Sequence, residues 1–278
     1  MIRLLTSLTK KKIIVPFYHT VAEQPLPHIK HLYRMKKVEE FLKDLDFLLK
    51  YFEPIDVETL YHLHIHKTIP KKPVFHLTFD DGMKEIYEIV VPILLEKGVP
   101  ATFFINSGFV DNKALFYRHR ESLERERGDS CDKNDRKIDE FLEKNKPYLT
   151  TEQIKELSNN GFTFGAHSVD HPYYNTIPLD EQLRQTRESL DFVSSIINQK
   201  LRLFAFPFTD YQVSQQFFNE IEADVDLCFG TAGLKNSKIP FHIQRFAGEK
   251  YKMESMEVIL KKEYLKFIIV RYLPFVTK

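Results

Sequence analysis

Seven short apolar runs, several followed by a segment with helical spacing, constrain what this chain can fold into. They cover residues 13–18, 74–79, 101–105, 162–166, 201–206, 225–229 and 241–246, each of strand length. Between them, Phe41, Leu42, Leu45, Leu48 and Leu49 fall on one face of a helix over residues 38–52. A second helix over 84–97 is stopped by Gly98. Thr150 with Gln153 three residues on is a capping-box pattern for a helix that ends at Gly161. Further helices are predicted over 179–197 and 213–221. Repeated βα units of this kind predict a parallel sheet closed, or nearly closed, into a barrel.

The length of 278 residues suits one domain of that type, spanning 1–278, and 43% hydrophobic residues suffice for a sizeable core. Residues 111–146 are dense in charge and predict a solvated helical insertion, of the sort that can cover an active site. Forty basic residues against thirty-nine acidic ones, spread along the chain, give no field that favours nucleic acid. Two distant cysteines, Cys131 and Cys228, fit a reducing compartment. The first residues do not resemble a secretory signal, because Lys10, Lys11 and Lys12 stand where a cleavage site belongs, and the expected location is cytoplasmic. No stretch reaches the roughly 20 apolar residues of a membrane span. The run 264–276 is apolar and aromatic, with Lys266, Arg271 and Lys278 interspersed. It predicts a last helix, at about 254–273, packed on the barrel; a weak membrane-surface contact is the second reading.

Polar residues follow the predicted strands in a telling order. His19 follows the first, Asp80 and Asp81 the second, Asn106 the third, His167 the fourth, and Pro207-Phe208 the fifth. In a parallel barrel the carboxyl ends of all strands lie on one face, where catalytic residues gather, so these scattered positions become one constellation. Thr78-Phe79-Asp80-Asp81-Gly82 supplies two adjacent carboxylates, and His167-Ser168-Val169-Asp170-His171 supplies two imidazoles from a loop bounded by Gly165 and Pro172. A carboxylate and two neutral imidazoles are a three-ligand set that leaves a position open for water. Adjacent carboxylates resist joint ionisation unless a cation compensates, so one of the pair is expected to reach a metal while its neighbour faces the water as a base. The alternative for Asp-Asp-Gly, a turn that caps the next helix, leaves the histidine pair unexplained. Zinc suits these ligands best; cobalt, nickel and iron are compatible. Ser168 is placed to orient a ligand or to hydrogen-bond substrate, and Asp170 to support the loop or to be solvated. His62, His64 and His66 lie before Pro70 with no carboxylate partner and are read as a solvated loop, and His76 as a core histidine.

These motifs resemble the polysaccharide deacetylase family, the NodB-like carbohydrate esterases, over most of the chain from Tyr18 to about Arg245. The Thr-Phe-Asp-Asp-Gly and His-Ser-x-x-His motifs match in full, and Val99-Pro100-Ala101-Thr102-Phe103-Phe104 is similar to the family's third strand. The resemblance implies a distorted, seven-stranded (β/α) barrel of the NodB type. It implies Asp80 as general base and Asp81, His167 and His171 as metal ligands. Two departures stand out. The third motif commonly carries an arginine two residues before a Pro-aromatic pair, and here that position is Ala205, as in the branch of biofilm poly-N-acetylglucosamine deacetylases. The Asp-x-x-Asp-Trp motif is absent, and the chain contains no Trp. Phe208, after the proline, is implied to offer its backbone N–H to an oxyanion. Arg245 is a candidate to replace the lost arginine as a tether for Asp80, with a surface salt bridge as the alternative. The family's C-terminal Leu-x-His is not evident, and His242 is its weak counterpart. In the biofilm branch the histidine follows the first strand instead, which Tyr18-His19 matches, so His19 is the expected general acid. The implied activity is metal-dependent removal of an N-acetyl group from a sugar or glycan, on a nucleotide- or lipid-linked precursor if the location is cytoplasmic. A catalytically silent sugar-binding barrel and a hydrolase of non-sugar amides are the competing readings.

Overall fold

A computed structural model describes residues 1–128, 136–249 and 254–272. Cys131, part of the 111–146 insertion and the end of the apolar C-terminal run lie outside the described residues. The chain opens with helix α1 (Ile2–Thr9), then β1 (Ile13–Ile14) and β2 (Pro16–Tyr18), α2 (Val38–Tyr51), β3 (Glu53–Pro54) and α3 (Val57–Ile65). Strands β4 (Val74–Phe75) and β5 (Leu77–Phe79) lead through a π-helical turn, Ile86–Val90, into α4 (Val91–Lys97) and β6 (Ala101–Ile105). The insertion carries α5 (Tyr117–Arg127) and α6 (Arg136–Asn145). After it come α7 (Thr151–Asn159), β7 (Thr163–Ala166), α8 (Leu179–Ile196), β8 (Leu203–Ala205), α9 (Gln215–Ile221), β9 (Leu227–Gly230), β10 (His242–Gln244), β11 (Phe246–Ala247) and α10 (Met256–Tyr272).

The main sheet has eight strands, in the order β10-β9-β8-β7-β6-β5-β2-β11, every pair parallel. Eight rather than the expected seven arise because the last apolar run breaks at Arg245. Its first half pairs with β9 and its second with β2, so one run closes the barrel by changing neighbours. The Arg245 N–H still bonds Gly230 at 3.1 Å, and the next N–H, of Phe246, already bonds Val15 at 3.2 Å. The runs 13–18 and 74–79 also split, and their first halves form a small separate sheet with β3.

Alternation along the strands sorts side chains to the two sides of the wall. Phe104, Leu203, Ala205, Leu227, Phe229 and Ile243 form one cluster with Val57 and Leu60 of α3. Their neighbours Phe103, Ile105, Phe204 and Cys228 belong to the larger cluster shared with the surrounding helices. Each buried Phe or Leu in these layers stabilises the barrel by about 1.5–3 kcal/mol relative to exposure. At Gly165 in β7 a Cβ would meet the Phe104 ring of β6 at 2.3 Å, so the packing there needs glycine.

The segment holding His62 and His64 is helical rather than a loop, with His66 as its C-terminal cap. The Asp56 side chain accepts the N–H of Thr59 at 2.7 Å and caps α3, while Val57 and Leu60 bury its inner face. The local apolar anchors outweigh the alternating histidines. The capping box at Thr150 and Gln153 forms as expected. Helix α10 packs on α1 and α2, where buried Asp44 accepts from Lys36 at 2.6 Å, from the Tyr18 hydroxyl and from the N–H of Met256. Among the described residues no helix is long and apolar enough to cross a membrane.

Candidate active site

The ends of the strands carry the site because the ladder runs just past them and then stops. The N–H of Asp80 still bonds Tyr18 at 2.9 Å, but Asp81 turns into left-handed backbone, φ 71°, followed by Gly82 at φ 62°. A Cβ on Gly82 would press on Ile105 at 2.9 Å, so the turn needs glycine for both reasons. Likewise the N–H of His167 bonds Ile105 at 2.9 Å, after which Ser168 (φ 71°) and His171 (φ 63°) leave extended geometry. Left-handed backbone at non-glycine residues costs of order 1–3 kcal/mol each and is held only by surrounding contacts. Those contacts are present. Buried Ser168 accepts the N–H of His171 at 3.0 Å, and the Asn106 amide donates to the His167 carbonyl. From α8, Gln185 accepts the N–H of Val169 at 2.9 Å and donates to Asp170 at 2.6 Å. Ser168 and Asn106 are therefore engaged in shaping the loop rather than facing the cavity.

The two acids serve different neighbours. Asp81 Oδ1 lies 3.2 Å from His171 Nε2 and 3.6 Å from His167 Nε2. One ligand atom from each of the three residues falls within 4.8 Å of the others, and all three residues are buried. Asp81 Oδ1 has no hydrogen-bond partner. His167 Nδ1 lies 2.8 Å from the Ala205 carbonyl, which fixes Nδ1 as the protonated nitrogen and leaves an Nε2 lone pair toward Asp81. Burial pushes the His167 imidazole down to about 4 against the pull of Asp80, so it is neutral. Burial also opposes charge on Asp81, yet the His171 imidazole foremost, and His19 with it, hold its carboxyl well below the usual range. These donors suit a divalent metal ion.

Asp80 is clamped by Arg245, whose two terminal nitrogens donate to its two oxygens at 2.7 and 2.9 Å. The same guanidinium donates to Thr78 at 3.1 Å and to the Gly230 carbonyl at 3.3 Å, and lies 4.7 Å from the Phe17 ring centroid. Arg245 is wholly buried at the point where the last run changes neighbours. Burial would raise the Asp80 pKa, but the adjacent guanidinium outweighs it and the carboxyl sits below its ordinary value.

His19 lines the same cavity, about 710 Å³, as Asp80, Asp81, His167, His171 and Phe208. Its Nδ1 lies 2.5 Å from Glu249, whose oxygen also accepts the His19 N–H at 2.9 Å. Burial disfavours charge on this imidazole, but Glu249 and the two aspartates outweigh it and push its pKa up to about 9. His242 is not part of this cavity: it lines another at the starts of the strands. Phe208 has φ 56°, and among the described residues its N–H has no acceptor. Tyr173 stacks flat on its ring at 3.6 Å, and Arg118 lies 5.6 Å from its centroid.

Several lining residues are absent from the sequence reading. Glu249 stands two positions after β11, so the strand-end rule that found the others would have found it had the seventh run been followed to its end. Phe116, Arg118 and His119 come from the insertion and line the cavity, so part of that charged segment forms a wall of the site. The dense charge of 111–146 conceals them, and no local motif marks them.

Comparisons with known proteins place the chain in a family and a fold. The sequence profile of the polysaccharide deacetylase family matches residues 67–220, more than half of the chain. YxkH of Bacillus subtilis (strain 168) is 22% identical over 142 residues, which are 51% of this chain and 39% of that protein. The chain thus spans well under half of that relative. Among solved structures, the Streptococcus pyogenes deacetylase PplD in complex with acetate superposes with a TM-score of 0.66 at 20% identity, covering 90% of this chain and 98% of that one. IcaB from Ammonifex degensii gives 0.65 at 18% identity, covering 91% and 97%. At such identities the likeness is one of fold, and the barrel is the α/β NodB-like one. With the fold shared and the profile spanning the Asp-Asp-Gly and His-Ser-x-x-His motifs, the chain belongs to the polysaccharide deacetylase family.

Proposed function

We propose that this protein is a metal-dependent hydrolase that removes an N-acetyl group from a sugar unit of a glycan. The observation that carries the reading is the buried cluster of Asp81, His167 and His171 beside a second carboxylate clamped by Arg245. Asp81, with its unpartnered Oδ1, and the two imidazoles would hold the divalent ion, zinc by ligand type. Such an ion supplies Lewis-acid polarisation of the acetyl carbonyl and lowers the pKa of a water. Asp80, ionised and fixed by Arg245, accepts the proton of the attacking water. The Phe208 N–H donates to the oxyanion, a contact worth about 3–4 kcal/mol in such sites. As the C–N bond breaks, His19, kept cationic by Glu249, gives its proton to the departing amine. The Phe208 ring, backed by the stacked Tyr173 ring, offers an apolar surface within the cavity to a sugar.

The silent-barrel reading rested on the arginine missing at Ala205. Arg245 brings a guanidinium to Asp80 from the last strand instead, which favours retained chemistry. The test is acetate release from a panel of N-acetylated sugars and non-sugar amides, with and without chelator. Chelator-sensitive acetate release from sugars is expected. Sugar binding without acetate release would return the silent barrel, and release from non-sugar amides alone would move the substrate class.

A further inference from the structure

A second cavity, of about 450 Å³, opens at the opposite end of the barrel, where the α1–β1 junction, the end of α3 and the segment leading into β10 meet. Six lysines line it, Lys10, Lys11, Lys12, Lys67, Lys235 and Lys238, and no Asp or Glu does. The chain as a whole carries a formal net charge of only +1, so this is a local segregation of charge. Elsewhere lysines find acids: Lys36 with Asp44, Lys97 with Asp46 and Lys200 with Glu58, for example. Among the described residues none of the six makes an ion pair with a carboxylate. Lys12 donates to the carbonyls of Pro70 and Lys71, and Lys11 to the Asn236 amide oxygen at 2.8 Å. Burial of Lys11 pulls its pKa down to about 8.

Two imidazoles line the same cavity. Nε2 of His64 and Nε2 of His242 are buried with no hydrogen-bond partner, although His242 itself is only 3% exposed. Asp210 approaches His242 Nε2 to 3.5 Å but is not part of the lining. Lys10 and Lys67 follow helix ends, where a cation complements the helix dipole, and that accounts for those two. It does not account for Lys235 and Lys238, which precede a strand. Like charges gathered without an acid repel, and a bound anion removes that cost.

We infer that this cavity is a binding site for a phosphate-bearing anion, separate from the deacetylase site at the other end of the barrel. Lysine ammonium groups bind phosphate as point charges, and the two imidazoles, whose pKa values burial lowers, add N–H donors as neutral rings in the tautomer that carries the proton on Nε2. The volume lies in the range of small-molecule sites. The anion is either free in solution or the headgroup of a lipid.

Calorimetric titration of inorganic pyrophosphate into the intact protein tests the free form. Co-sedimentation with vesicles of phosphatidylglycerol in phosphatidylcholine tests the headgroup. Lys235→Glu with Lys238→Glu reverses two exposed charges in the segment before β10. Lys144→Glu with Lys155→Glu, on α6 and α7, is the control of equal charge change. Lys67→Asn is a milder variant, since Asn tolerates the left-handed backbone at φ 51°. The expected result is pyrophosphate binding that weakens at least about tenfold in the cavity double variant, weakens in the same direction in Lys67→Asn, and persists in the control. Vesicle binding with that same variant pattern, without pyrophosphate binding, assigns the headgroup as the source. Binding to neither probe, or binding that survives the cavity variants, as it would at the metal ligands, overturns the inference.

Discussion

The two ends of this barrel treat charge in opposite ways. At the carboxyl ends of the strands, Asp80 meets Arg245, Asp81 meets two imidazoles, and His19 meets Glu249. At the amino ends, six lysines line a cavity without a carboxylate. The first arrangement is balanced and pre-set, with left-handed backbone at Asp81, Ser168, His171 and Phe208, and with the Ser168–His171 loop held by specific hydrogen bonds. The second is unbalanced. The contrast indicates which end is built to do chemistry on a neutral amide and which is built to attract an anion. It also separates two histidines that compete in the sequence for one role, His19 at the first end and His242 at the second.

The sharpest break of this comparison is at the metal ligands. His171→Ala removes one of three donors, and two protein ligands hold zinc poorly. Metal content by elemental analysis should fall markedly, with turnover lower by more than about 10²-fold, since even lost outer-shell partners cost 10–100-fold. Equal metal in variant and parent would sink the ligand assignment. Asp80→Asn comes next. It keeps the shape and removes the base, so turnover should drop on the order of 10²–10⁴-fold while metal content stays at the parent level. Normal turnover in that variant rules out the role.

The competition between the histidines is settled by paired variants. His19→Ala should lower deacetylation on the order of 10²-fold, and His242→Ala should leave it near the parent once fold and metal are verified. The reverse result would assign the acid to His242 and return the reading of the first strand to error.

How much of this was legible follows from the kind of signal each part carries. The barrel is readable because a strand buried on both faces is written as a continuous apolar run. The central site is readable because residues just past such runs share one face, which brings His19, Asp80, Asp81 and His167 together without any contact information. What was hidden depends on long-range pairing. The sequence leaves Arg245 open between Asp80 and a surface salt bridge, and only the change of neighbours at β10 and β11 carries it to Asp80. Glu249 lies two positions past β11, beyond the end at 246 that the last apolar run gives in the sequence. His119 lies in a segment whose composition is that of a solvated surface, yet it is buried and shares a contact of 2.7 Å with the Tyr148 hydroxyl. The helix around His64 is poorly marked in the sequence, because its apolar anchors are few and its capping residue, Asp56, precedes the histidines by several positions.

The smallest expected effect tests how the catalytic end holds its proton. Burial alone would lower the His19 pKa, and Glu249 is the foremost influence raising it, to about 9. The contributions of Asp80 and Asp81 act in the same direction, but a cation held at Asp81 opposes them, which leaves Glu249 as the principal lever. A general acid must be protonated, so activity is lost as pH rises through its pKa, and a raised pKa moves that loss to higher pH. Glu249→Gln keeps a hydrogen-bonding partner beside Nδ1 and removes the charge. The alkaline limb of the kcat profile should therefore move to lower pH by about one to three units, with the rate on the acid side of the limb changed much less. Metal content should be unaffected, because Glu249 is not among the Asp81, His167 and His171 set. A profile whose alkaline limb stays in place would mean that another group supplies the proton, and a limb that moves upward would contradict the sign of the Glu249 interaction itself.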